Sequence, residues 1–285
     1  MVFSDFSKLI KFRLTFLVVF SASISFLIGS KVNGEIIWKN WGLLILGGFL
    51  VTAAANGFNE IIEKDLDKLM RRTADRPLPS GKMTNGQALV LSLFMGIAGT
   101  YILGSLNLTT GYLSVFSIFL YAFIYTPAKR KSPVAVFIGA IPGALPPLIG
   151  YVAAHPKIDY IALVLFGIQF VWQFPHFWAI AWVLDDDYKL AGFRLLPTGK
   201  RDATSAVIAF VFTLILVPVS LLPTFYNFGG LYVGAISLIS SFAFLYYAFN
   251  LMLKQDIGSA QKLMYASFFY LPVVQLALLF DFVGK

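Results

Sequence analysis

The stretch WGLLILGGFLVTAAANGFNEIIEKDLDKLMRRTADRPLPSG, residues 41–81, changes character halfway along. Residues 41–58 hold no charged side chain, and crossing the hydrocarbon core takes about 20 such residues. Residues 59–81 then carry five acids, Glu60, Glu63, Asp65, Asp67 and Asp75, among basic residues and prolines. An apolar span that runs directly into an acid-rich segment is the pattern of a membrane helix delivering polar chemistry to one face of a bilayer.

The rest of the chain repeats the apolar half of that pattern. Of 285 residues, 58% are hydrophobic and 13% are charged, against about 25% charged in soluble domains. The lipid bilayer is the solvent that tolerates so much apolar surface. Nine segments are long enough to span it: 14–30, 41–58, 87–105, 109–126, 134–153, 160–183, 204–224, 229–249 and 264–283. The sequence therefore predicts an all-α, polytopic membrane protein in a single domain, residues 1–285. Zero cysteines exclude disulfides and thiol chemistry, and two histidines, His155 and His176, are too few for a His-rich metal site. A net charge of +8 would suggest nucleic acid in a soluble protein. Here it reads as headgroup contact and topology, with no nucleic-acid partner.

With the N-terminus inside, all but four of the 22 lysines and arginines fall on the inner side; Lys31, Lys39, Lys157 and Lys285 are the exceptions. The opening MVFSDFSKLIKFRLTFLVVF has no cleavage site, so its apolar segment reads as a retained span. A bacterial inner membrane is expected, with the N-terminus cytoplasmic and the C-terminus outside. Nine of the fourteen acids lie in only two inner segments, which the positive-inside pattern does not require.

Asn59, Glu63 and Asp67 are spaced i, i+4, i+8 and share one face of a helix. Such a row of oxygens suits Mg²⁺, a hard cation held by carboxylates together with substrate phosphates. Asp65 points away and reads as a solvated or salt-bridged acid, while Leu66 and Met70 point to packing. Arg71, Arg72 and Arg76 suit phosphate. Any one arginine is equally well explained as a positive-inside anchor; the row and the arginines together are not. In LDDDYKLAGFRLLPTGKRD, residues 184–202, Asp185, Asp186 and Asp187 end an apolar helix, whose C-terminus disfavours them. A metal ion or nearby Lys and Arg must compensate them. Lys129 and Arg130, in YTPAKRKSP (125–133), join the same face as candidate diphosphate ligands. Gln173 and His176, in FVWQFPHFWAIAW (170–182), are polar groups within a span and so candidates for function, although a lone buried histidine is as often a packed one.

The pattern Asn59-x-x-x-Glu63-x-x-x-Asp67, with Met70, Arg72, Thr73 and RPLPSG at 76–81, resembles the first motif of the UbiA-type intramembrane prenyltransferases. WQFPHFW (172–178), DYKLAGFRLLP (187–197), YTPAKRKSP and GALPPLIG (143–150) resemble the protohaem IX farnesyltransferases within them. Lys11-Phe12-Arg13 stands where that group carries Lys-Pro-Arg. The resemblance implies nine helices around a central cavity, and Mg²⁺-dependent transfer of farnesyl from farnesyl diphosphate to a vinyl group of haem B, giving haem O. It implies catalytic roles for Asn59, Glu63, Asp67, Arg72, Arg76 and Tyr188. Asn59, Glu63, Asp67 and Asp185 to Asp187 would hold metal. Arg13, Lys129, Arg130, Gln173 and His176 would bind diphosphate or acceptor. A haem A synthase or a terminal oxidase assembly is a candidate partner. Prenylation of an aromatic quinone precursor uses the same acids without needing His176. A non-enzymatic transporter would instead carry its charges at mid-span.

Overall fold

The computed structural model describes residues 3–283. Among them, nine helices are long and apolar enough to cross a membrane. They are α1 (Phe12–Asn33), α2 (Trp38–Asp67), α3 (Asn85–Leu106), α4 (Leu108–Ala128), α5 (Ala135–Ala154), α6 (Tyr160–Val183), α7 (Ala203–Phe225), α8 (Leu231–Lys254) and α9 (Ile257–Phe280). Each coincides with one segment expected from the sequence, and no strand occurs among the described residues. The chain is a multi-pass membrane protein. Lys285, assigned above to the outer side, lies outside the described residues.

The helices pack mainly with their neighbours in sequence, and α1, α5 and α6 stitch the two halves together: α1 lies against α5, and α6 against α5, α7 and α9. α5 is the most enclosed of the nine. Close approach depends on small residues, as is usual where lipid supplies no hydrophobic drive between helices. A Cβ placed on Gly150 of α5 would lie 1.9 Å from the Ala22 carbonyl oxygen of α1. One placed on Gly99 of α3 would lie 2.8 Å from the Val51 nitrogen of α2.

Three local findings differ from the sequence expectation. First, α2 does not stop at 58 but runs 30 residues to Asp67. Its polar tail NEIIEKDLD holds no Gly or Pro, so nothing ends the helix, and the acid row, expected on a helix, continues the span itself. Turns then fill 68–83, until Thr84 and Gln87 form a reciprocal capping box that starts α3. Second, Asp185, Asp186 and Asp187 follow α6 but form the first turn of a short helix, Asp185–Leu190. The local dipole therefore favours them instead of opposing them. Third, α4 passes into a π-helical segment, Leu120–Tyr125, before its last turn. Such segments re-aim the side chains that follow them and concentrate at functional sites.

Consecutive spans alternate in direction, which brings the ends of α2, α4 and α6 to one face. Cross-contacts confirm this: Lys8 pairs with Asp75 at 2.6 Å, Lys129 with Glu63, and Asp187 accepts the Arg71 N–H at 2.7 Å. At the opposite face Lys31 donates to the Leu279 carbonyl and Asn33 to that of Ala154. Midway, Ser21 of α1 donates to Gln169 Oε1 of α6 at 2.7 Å, and the Gln275 amide of α9 donates to both.

Candidate active site

Because α2 stays helical, Asn59, Glu63 and Asp67 fall on one line, and all three are buried. Glu60, one residue off that line, is also fully buried. Asp65 is 77% exposed and paired at 3.4 Å with Lys68, as its position on the opposite side requires. Met70 packs away from the row against Ala191 and Phe193.

Cations from three other segments close on the row. Arg76 Nη1 lies 2.7 Å from Asp67 Oδ2, and Lys129 Nζ lies 2.5 Å from Glu63 Oε1. Lys129 also sits over the rings of Tyr125 and Phe193, at 5.0 and 5.3 Å. Lys11 Nζ donates to Asn59 Oδ1 at 2.6 Å. Asn59 Nδ2 donates in turn to Glu63 Oε2 and Thr126 Oγ1, at 2.8 and 3.0 Å. Asn59 therefore shows its amide hydrogens, not its oxygen, to the carboxylate. The π segment makes this possible: Thr126 Oγ1 donates back five residues to the Tyr121 carbonyl at 2.8 Å.

The second acidic segment faces cations throughout. Asp185 pairs with Lys189 at 2.6 Å, and Asp186 with Arg201 at 3.0 Å. Asp187 accepts the backbone N–H groups of Arg71 and Arg72, at 2.7 and 3.4 Å, which ties the two segments together. Tyr188 lies beside Phe193, and burial raises its phenol above the usual range against the opposing pull of Arg72. It stays protonated and can donate a hydrogen bond. Burial, with Arg76 and Lys129 nearby, pushes the Lys11 ammonium down to about 7.

Not every expected residue joins the cluster. Arg13 is exposed, and Lys11 two residues earlier takes the place expected of it. The reason is local: Lys11 adopts φ 49°, ψ 57°, which turns its side chain inward as α1 begins. Arg130 is exposed at the mouth of a cleft of about 400 Å³ that it lines with Glu63, Leu66, Thr126 and Lys131. Arg72 is exposed too, its backbone rather than its guanidinium being engaged. Lys11, Glu60 and Tyr125 were not selected from sequence. For Glu60 the signal was available, since an acid next to the row must either face lipid or be buried with it.

A cation fits the row. Asp67 Oδ1 and Glu60 Oε2 are buried without a hydrogen-bond partner, and unpaired buried oxygens of this kind are costly. A hard divalent ion would satisfy Asp67 directly.

Deeper in α6, the His176 ring stacks on Trp172 at 4.4 Å and meets Phe268 edge-on at 5.3 Å. Its Nδ1 lies 2.7 Å from Ser267 Oγ. That hydroxyl lies 2.6 Å from the Met264 carbonyl, which can only accept, so its hydrogen is spent there. His176 Nδ1 therefore carries the proton and donates, leaving Nε2 with a free lone pair. Gln173 donates to the Ala140 carbonyl at 3.3 Å, while its oxygen has no partner.

Buried carboxylates ringed by lysine and arginine at one end of a bundle of membrane-length helices make this cluster the candidate site of a membrane enzyme. Residues 18–272 match the UbiA prenyltransferase family, and the chain belongs to it. It is 46% identical over 281 residues to the protoheme IX farnesyltransferase of Cytophaga hutchinsonii, spanning 98% of each chain. It is 42% identical over 284 residues to the protein of that name from Christiangramia forsetii, spanning 98% of this chain and 94% of that one. Among solved structures, a digeranylgeranylglyceryl phosphate synthase superposes with TM-score 0.80 at 22% identity, over 98% of this chain and 97% of that one. A UbiA homolog from Archaeoglobus fulgidus bound to GPP and Mg²⁺ superposes with TM-score 0.64 at 12% identity, over 96% and 99%. At these identities the structural matches establish the fold.

Proposed function

We propose that the protein is a protohaem IX farnesyltransferase: it transfers farnesyl from farnesyl diphosphate to a vinyl carbon of haem B, forming haem O, with the whole chain as one functional domain. The observation that carries this reading is the buried row of Glu63 and Asp67 held against Arg76 and Lys129, in a chain 46% identical to an enzyme of that name. Mg²⁺ bound by Asp67 and Glu63, with Asp187 tied to the same segment through the Arg71 and Arg72 N–H groups, would offset diphosphate charge as the C1–O bond breaks. Arg76 and Lys129 pair with the carboxylates in the resting site and are positioned to turn to the diphosphate oxygens. They stabilise the charge that builds there as it leaves. Arg130 at the cleft mouth, and Tyr188 with Arg72 nearby, would add donors. The vinyl carbon attacks farnesyl C1. The cation left beside the macrocycle adds water and loses a proton, giving the hydroxylated farnesyl side chain of haem O. Burial of the row keeps water from quenching the allylic cation early.

Haem use distinguishes this reading from quinone prenylation, and His176 supports it. The residue lies nine positions before Asp185, about 14 Å deeper along the helix. With Nδ1 fixed by Ser267, Nε2 is free to meet a flat acceptor. The test uses membranes given labelled farnesyl diphosphate, Mg²⁺ and haem B: the protein should yield farnesylated haem. His176→Ala should weaken haem use by about tenfold or more, the equivalent of one lost hydrogen bond or ligand. Farnesyl diphosphate binding on the same purified variant should be unchanged. Equal loss of both would assign His176 to folding, and loss of neither would favour a quinone precursor.

The basic residues support an inner-membrane location with the N-terminus cytoplasmic and the C-terminus outside. Reporter fusions after Leu106 and after Lys131 should read opposite sides, with the second cytoplasmic. The same side for both would overturn this topology.

A further inference from the structure

A groove of about 390 Å³ runs between α8 and α9, and it takes no residue from the acid row or from α6. Its floor is aromatic: Phe244 and Tyr270 are buried with their rings 5.4 Å apart. The Tyr270 hydroxyl lies 3.1 Å from Ser241 Oγ, so the ring rather than the hydroxyl is free for the groove. Ala243 and Ala266 keep the walls low, and the exposed Phe269 and Val273 continue the apolar lining. One end is different. Lys262, Tyr247 and Tyr265 line it, at the membrane face where α8 ends, α9 begins and the acid row also lies. Lys254, seven positions after Tyr247, falls on the same side of α8 and adds a second cation beyond it. Among the described residues Lys262 forms no ion pair. The acid nearest in sequence, Asp256, caps α9 by accepting the Ser259 N–H at 2.6 Å.

The dimensions name the occupant. Val273 stands eleven positions beyond Lys262, about 16 Å along the helix axis. The hydrocarbon core is about 30 Å thick, so the groove is one leaflet deep. A slot that is apolar through one leaflet and cationic at its surface matches a phospholipid, and basic pockets between helices at a membrane face select anionic headgroups. The phenols of Tyr247 and Tyr265 stand at headgroup depth, where amphipathic rings settle. A second copy of this chain fits less well. In the same orientation it would bring its own basic face, from a chain of net charge +8, against Lys262. We propose that the groove binds one anionic phospholipid of the leaflet on the acid-row side, its phosphate on Lys262 and one acyl chain along Phe244, Phe269 and Val273. The site is independent of the catalytic reading above.

The test uses the full chain purified in mild detergent and given phosphatidylglycerol or phosphatidylcholine with identical acyl chains. Native mass spectrometry counts the lipid retained, and a melt in detergent alone checks the fold of each variant. The parent should keep one phosphatidylglycerol per chain in preference to phosphatidylcholine. Lys262→Gln should lower phosphatidylglycerol affinity about fivefold, the worth of one lysine at an anionic surface, and leave phosphatidylcholine unchanged. Ala243→Phe fills the groove without touching the charge, at an exposed position that tolerates bulk, and should lower retention of both lipids. Lys200→Gln removes an exposed cation elsewhere on the same membrane face and should change neither. Equal retention of the two lipids by the parent, or an equal loss in Lys200→Gln and Lys262→Gln, would overturn the proposal in favour of general surface charge. A dimer that Ala243→Phe dissolves would assign the groove to a second copy. Displacement of the retained lipid by farnesyl diphosphate would assign it to an isoprenoid, and either result would sink the phospholipid site.

Discussion

Asp67→Asn should lower farnesyl transfer by about 10²–10³-fold, the usual loss when a group that stabilises transition-state charge is removed. Asparagine keeps the shape but cannot hold a divalent cation with the same charge, and it leaves Arg76 facing a neutral amide at 2.7 Å. Arg76 then competes less selectively for the leaving diphosphate, so turnover suffers more than substrate affinity. Asp65→Asn, two residues away, should change turnover less than twofold, because that side chain faces solvent beside Lys68. Both variants differ from the parent by one charge at nearly constant size, so the contrast isolates position on the helix. Turnover at saturating haem, with a thermal melt of each variant, reads the effect. An essential Asp65 beside a dispensable Asp67 would refute the assignment of the active face.

Gly150→Ala should be the most destabilising single-carbon change in the chain. Its Cβ would meet the Ala22 carbonyl oxygen at 1.9 Å, with Ala22 backbone atoms also inside 3 Å. Backbone cannot rotate aside as a flexible side chain can. α1 and α5 must move apart, and the cost is that of overpacking, about 3 kcal/mol or more. Gly86→Ala supplies the control: it lies near the start of α3 with nothing within 4 Å of the added carbon. It should be neutral or slightly stabilising through helix propensity. Melting temperatures in one lipid preparation decide the matter. Equal stability of the two variants would mean that the α1–α5 crossing yields more easily than its contact distance implies.

The nine spans were legible in the sequence because apolar length alone specifies a membrane helix and the bilayer permits few alternatives. The shared buried face of Asn59, Glu63 and Asp67 was legible as well, since a four-residue spacing fixes side-chain direction once a helix is granted. Asp65 and Asp67 were separated on that ground alone. What could not be read were positions set by backbone irregularity. The inward turn of Lys11 depends on a left-handed residue, and no local glycine announces it. The π segment that aims Thr126 at Asn59 is spelled LYAFIY, a run that reads equally well as ordinary helix. The sense of the second acidic segment also escaped, because whether Asp185 closes one helix or opens the next depends on a single residue, Leu184, serving both.

The link between Ser21, Gln169 and Gln275 bears on how the protein is made. Its members come from the first, sixth and last spanning helices, and Gln275 stands 254 residues after Ser21. During synthesis, Ser21 and Gln169 can satisfy one another as soon as α6 enters the bilayer, but the link stays one partner short until α9 follows. The same last helix brings Ser267 to His176 and to the Trp172 indole. A nascent chain that has threaded eight helices therefore already holds its complete row of acids, while its histidine still lacks the partner that fixes the proton. On the function proposed above, competence for the anionic substrate would precede competence for the acceptor, which awaits α9.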